Sequence, residues 1–190
     1  MAWQMGIDMA AMQKWSNAKV IRYQITGVHE GRVPLADSTK ADVSDKVTLI
    51  FDWDAKARKP LTPVQIRNEK SAVKNVKADG TKCATPVVRG EYEHMEATQV
   101  TVQAGGTIEV KGTRTIPVVA DPQWPASCTP KDTEARSESV VEFLAVAEPQ
   151  ILALPLSASQ KNLVIAPDRK SYTIRTATNW SWTVMPVVAQ

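Results

Sequence analysis

Chemistry-bearing residues are sparse in this sequence, and their spacing decides what they are able to do. His29 and His94 are its two histidines, which leaves a histidine-assisted catalyst few ways of being assembled. The densest run of potential ligands is Glu91-Tyr92-Glu93-His94-Met95-Glu96. In an extended strand Glu91, Glu93 and Met95 share one face while Tyr92, His94 and Glu96 share the other, so a metal would need completing from a distant residue such as His29. The spacing matches no zinc or iron pattern, and neither a resident metal nor a cofactor is expected. Asp52 and Asp54 fall on one face of a strand, as carboxylates for acid-base work or calcium binding would. An apolar face lies opposite them, and two solvated carboxylates at a strand end account for the pair more simply. The G-x-S-x-G elbow, the Gly-rich phosphate loop and H-E-x-x-H are all missing, so no catalytic residue is assigned and the chain reads as leaning away from an enzyme.

Aromatic residues are the better binding candidates. Six tryptophans accompany only two phenylalanines, and Trp124, Trp180 and Trp182 are the three singled out as ligand-binding candidates. Asn179-Trp180-Ser181-Trp182-Thr183-Val184 alternates, so Trp180, Trp182 and Val184 share a face. Exposed, the two rings would stack on sugars or sit at a membrane interface; facing a sheet core, they are ordinary packing. Trp124, flanked by Pro122 and Pro125, reads either as an exposed binding ring or as a plug beside the cysteines. Asn179-Trp180-Ser181 also satisfies the N-glycosylation sequon, a pattern that chance often produces.

The two cysteines, Cys83 and Cys128, lack the C-x-x-C spacing of a redox pair and read as a structural disulfide. Joined, they close a loop of roughly 45 residues, which the chain-entropy model values at about 4 kcal/mol. A disulfide implies an oxidising compartment, so a periplasmic or secreted protein is expected. The formal net charge of +3 is too mild for nucleic acid, and no arginine-rich or aromatic-basic RNA motif is present. No apolar run reaches the length of a membrane span, and the first residues lack the charged and apolar regions of a signal peptide. Lys56 to Arg89 is locally basic, either a surface for anionic lipid or polysaccharide or a solvated sheet edge guarded by lysines.

The elements that would position these residues are mostly strands. Met5, Met9, Met12 and Trp15 recur at helical spacing, predicting a short amphipathic helix within residues 1–15, its apolar stripe facing the core. Val20–Val28 and Lys46–Asp54 alternate as strands that pair antiparallel across a long loop. Gln99–Gln103 and Thr107–Lys111 flank Ala104-Gly105-Gly106; a three-residue loop sets Val102 against Ile108 and Val100 against Val110, gathering the apolar side chains on one face. That register also puts Glu96 opposite Arg114. Ser139–Ala147 is apolar enough for a buried strand, Ile151–Leu156 continues extended, and Asn162–Ala166 with Ser171–Arg175 forms a second hairpin around Pro167–Lys170.

The expected fold is mainly β: an antiparallel sandwich or strongly curved sheet of about eight or more strands with a short N-terminal helix. One domain spans residues 1–190, with a weak candidate boundary at the polar connector 131–138. The functional expectation is an exported binding or interaction module without evident catalytic chemistry, presenting an aromatic-lined sheet surface to a glycan, lipid or protein partner. A carboxylate hydrolase built on Asp52, Asp54, Glu91 or Glu93 is one alternative. A structural or assembly subunit of a cell-envelope complex is the other.

Overall fold

Two alternating strands near the start of the chain set up the larger of two sheets. In the computed structural model, which describes residues 6–34, 39–78, 90–92, 95–116 and 136–189, β1 (Val20–Pro34) and β2 (Thr39–Asp54) pair antiparallel. Ile21, Tyr23 and Ile25 stand opposite Trp53, Phe51 and Leu49. The period of two therefore sends all six to one face and Arg22, Gln24 and Thr26 to the other. β3 (Lys59–Pro60) folds back on the end of β2, β4 (Gln65–Ala78) pairs along the rest of that edge, and β5 (Gly90–Tyr92) follows β4.

β6 (Met95–Val102), β7 (Thr107–Ile116) and β8 (Arg136–Ala145) make a second, three-stranded antiparallel sheet. The expected hairpin register holds: Val102 opposes Ile108, Val100 opposes Val110, Thr101 opposes Glu109 and Gln99 opposes Lys111. The Gln103 N–H donates to Thr107 O at 2.8 Å, closing a three-residue loop in which Gly105 and Gly106 take φ of +96° and +93°. Such angles suit glycine and almost no other residue. A bulge between Ala97 and Gln99 then shifts the ladder, so Glu96 faces Thr113 and Met95 faces Arg114, correcting the Glu96–Arg114 pairing that an unbroken register implies. The Ala97 N–H donates instead to Asn68 Oδ1 of β4 at 3.1 Å, joining the two sheets at the bulge.

The chain returns to the first sheet through β9 (Leu163–Ile165), β10 (Tyr172–Arg175) and β11 (Trp180–Val188). The β9–β10 hairpin forms as expected, and β11 pairs with β1, giving the order β5-β4-β2-β1-β11-β10-β9. Ile25, Leu49, Trp182 and Val184 from this sheet and Ile108, Val110 and Leu144 from the other belong to one buried cluster. The architecture is thus mainly β, two antiparallel sheets that contribute to one shared core, without a closed barrel.

Three local expectations are corrected. The expected N-terminal helix forms, as α1 over Met9–Asn17, after Gly6 takes φ of +66° and Asp8 caps the start by accepting the Ala11 N–H at 2.9 Å, but its methionine stripe does not all face the core. Its Trp15 is buried while Met9 is exposed. β8 is not buried on both faces: Glu142 and Leu144 point inward, Val141 and Phe143 outward. Ile151–Leu156 is not extended, since Pro149 opens a 3₁₀ turn over Pro149–Ala153 and a second covers Leu156–Ala158. Of the polar connector 131–138, residues 131–135 lie outside the described residues, and the remainder already belongs to β8.

Candidate functional site

A cavity of about 370 Å³ opens at the end of the sandwich where β1 begins and β2 finishes. Four aromatic rings border it, each itself largely buried (3–8% exposed): Trp15 from the last turn of α1, Tyr23 from β1, and Phe51 and Trp53 from β2. The last three hold inward positions on their strands, and the cross-strand partners Tyr23 and Phe51 stack with centroids 5.5 Å apart and planes 29° from parallel. Trp15 arrives by another route. The segment after α1 is tied to the turn after β2 by the Ala55 N–H, which donates to Lys19 O at 3.0 Å.

The facing wall comes from the second sheet, with Val102 and Ile108 beside the glycine loop and Val146 and Ala147 just past β8. The Val146 N–H donates to Gly106 O at 3.0 Å, and a Cβ on Gly106 would lie 3.1 Å from Val146 O, so a bare α-carbon lets loop and strand exit close together. From beneath, the Tyr172 hydroxyl donates to Ala147 O at 2.8 Å.

The polar lining comes from Ser16, Asn17, Lys19, Lys56, Arg58, Glu148 and Gln150, all of them exposed except the half-buried Gln150. Arg58 Nη2 and Glu148 Oε1 are 3.0 Å apart, both side chains largely in water. The turn carrying Lys56 and Arg58 is held by Asp54 Oδ1, which accepts the Lys56 and Ala57 N–H groups at 2.9 and 2.7 Å. Burial, and then the nearby Glu148 charge, push the Tyr23 phenol well above its ordinary range, so the cleft presents a neutral hydroxyl. The Gln150 side-chain oxygen is buried without a hydrogen-bond partner among the described residues.

The residues singled out by sequence fall elsewhere. Trp180 and Trp182 face the core, 2% and 0% exposed, stack on one another at 5.1 Å, and do not line the cavity. His29 stacks on Trp180 at 5.3 Å and places Nδ1 3.3 Å from the buried Asp45 Oδ2. Nearby on the second sheet, the inward Glu142 accepts the hydroxyls of Thr176, at 3.0 Å, and of Thr178. Asp52 receives both Nε and Nη2 of Arg22, at 2.7 and 2.9 Å, and that hydrogen-bonded guanidinium holds its carboxyl below the usual range. Neither Asp52 nor the turn-holding Asp54 is an uncommitted acid or base. Trp124, Cys83, Cys128, Glu93 and His94 lie outside the described residues, as do the side chains of Glu91, Tyr92, Met95 and Glu96. Among the described residues no group of three or more His, Cys, Asp or Glu side chains is arranged to hold a metal, and no helix is long and apolar enough to cross a membrane.

Sequence reasoning passed over the four cleft aromatics because inward alternation assigned them to the core. A signal was nonetheless present: Tyr23 lies near the start of one strand and Phe51 and Trp53 at the end of its hairpin partner, so antiparallel pairing brings them to one end. No protein-family model matches this chain, and no curated protein and no solved structure matches it at a significant level.

Proposed function

We propose that the protein is an exported binding module that takes a small apolar or lipid-like molecule in the aromatic cleft at the open end of its sandwich. The observation that carries this reading is the cleft itself: four aromatic rings and aliphatic side chains from both sheets in its walls, charged side chains exposed around it, and a volume within the range of small-ligand sites. A concave site of about 370 Å³ suits an inserted ligand better than a flat protein contact or a sugar laid on an open sheet. The commitment of Asp52 to Arg22 and of Asp54 to its own turn weakens the hydrolase alternative.

The neutral probe N-phenyl-1-naphthylamine tests the site. It should bind with a blue-shifted emission, and Ala55→Phe, which fills the cleft from its wall, should abolish binding while leaving the melting transition intact. Absence of probe binding, or binding indifferent to Ala55→Phe in a folded variant, overturns the reading. Export rests separately on the proposed Cys83–Cys128 disulfide. Mass spectrometry of native, non-reduced protein should find no alkylated thiol, and two freely alkylated cysteines would remove the basis for that compartment.

A further inference from the structure

The mouth of the cleft is not electrically neutral. Its charged side chains are Lys19, Lys56, Arg58 and Glu148. Arg58 and Glu148 compensate each other at 3.0 Å. That leaves two ammonium groups, Lys19 and Lys56, with no ion-pair partner among the described residues. They come from different elements: Lys19 precedes β1 and Lys56 follows β2. The backbone bond between Ala55 N and Lys19 O holds those two segments side by side. The buried side chains that line the cleft are uncharged, among them Trp15, Tyr23, Phe51, Trp53 and Ile108.

This polarity has one chemical complement. On the reading that the cleft is a ligand site, we infer that it selects an amphipathic anion, a flat apolar body lying between the aromatic walls with a carboxylate at the mouth beside Lys19 and Lys56. The carboxylate stays in contact with water, so its desolvation cost is small. The apolar body leaves water for a cavity bordered by Trp15, Phe51 and Trp53, and the burial of its own surface is the dominant favourable contribution. A neutral ligand would gain the second contribution alone, and a cationic one would meet two like charges. Exposed ion pairs are individually weak, so the expected selectivity is modest, about five- to tenfold for the two lysines together. It should also fade with salt, because charges at the mouth are screened.

Isothermal titration calorimetry with three near-isosteres decides the matter: 2-naphthoate, 2-naphthalenemethanol and 2-naphthylmethylammonium. The wild-type protein should prefer the carboxylate to the alcohol by about five- to tenfold and bind the ammonium most weakly. The double variant Lys19→Gln/Lys56→Gln should bind carboxylate and alcohol alike, as should the wild type in 1 M salt, where the screening length is about 3 Å. Both lysines are exposed, so the variant's melting transition should match the wild type's. Equal affinities of wild type for carboxylate and alcohol, or a carboxylate preference that survives the double variant, would overturn the anion selectivity while leaving the cleft as a binding site. Failure of all three probes to bind would overturn both.

Discussion

Gly27 of β1 stands opposite Trp182 of β11, and the indole fills the space that a side chain would take. A Cβ built on Gly27 would lie 2.4 to 2.6 Å from three carbons of that ring. The ring is 0% exposed and stacked on Trp180, so it has no room to retreat. Gly27→Ala should therefore destabilise by about 3 kcal/mol, the upper end of what overpacking a closed core costs. Gly105 supplies the contrast: nothing stands within 4 Å of its would-be Cβ, but its φ is +96°. Gly105→Ala should cost only about 1–2 kcal/mol, through backbone conformation rather than contact. Chemical denaturation of the two variants checks the order; equal losses would show that the indole moves aside.

At the scale of elements, β8 shows how an alternating strand can mislead by composition. Val140, Val141, Phe143, Leu144 and Ala145 make it read as buried throughout, yet the charged Glu142 points into the molecule and Phe143 is 58% exposed. Cross-strand pairing with β7 explains the choice. Leu144 must face inward beside the buried Ile108, and period two then carries Glu142 inward and Phe143 outward opposite Glu109. The buried carboxylate is accommodated because the Thr176 and Thr178 hydroxyls of the β10–β11 turn donate to it. Phe143→Ser should cost less than about 1 kcal/mol, whereas Leu144→Ser, which empties a core site and inserts a hydroxyl, should cost about 3–4 kcal/mol. Comparable midpoints in urea for the two variants would contradict the assigned faces. β11 shows a related economy: Pro186, which has no N–H to give, lies past Val184, the last residue of β11 paired with β10.

At the scale of the molecule, the two sheets are joined by a core that shields its tyrosines. Burial is the main reason that both Tyr23 and Tyr172 are raised well above the ordinary phenol value, Tyr23 further by the Glu148 charge. Their neutral forms are favoured in the folded state, so their contribution to stability is complete below the unfolded value of about 10 and declines as pH rises from there toward the folded values. Thermal unfolding midpoints should accordingly be insensitive to these groups at neutral pH and drop steeply above about pH 10. In an alkaline titration followed at 295 nm, at most one of the three tyrosines should ionise before the circular dichroism of the sheets is lost. Full ionisation near the ordinary phenol value with the sheets intact would contradict the burial of Tyr23 and Tyr172.

By itself the sequence determined what period and turn chemistry encode. The alternation of Val20–Val28 and Lys46–Asp54, the Ala104-Gly105-Gly106 loop with its Val102–Ile108 register, and the 162–175 hairpin are all local, because strand period and glycine conformation depend on neighbouring residues. The mainly β class follows from their sum. Tertiary structure alone decided which inward aromatics border empty space: Trp180 and Trp182 lie on β11, flanked by β1 and β10 and closed into the core, while Trp15, Tyr23, Phe51 and Trp53 border the cavity. Both sets show the same inward placement, and nothing in a strand's own residues states what packs against it. The Ala97 bulge and the inward Glu142 were likewise settled across strands, by Asn68 in one case and by Thr176 and Thr178 in the other. Their partners lie roughly thirty residues away in the chain, beyond the reach of any local pattern.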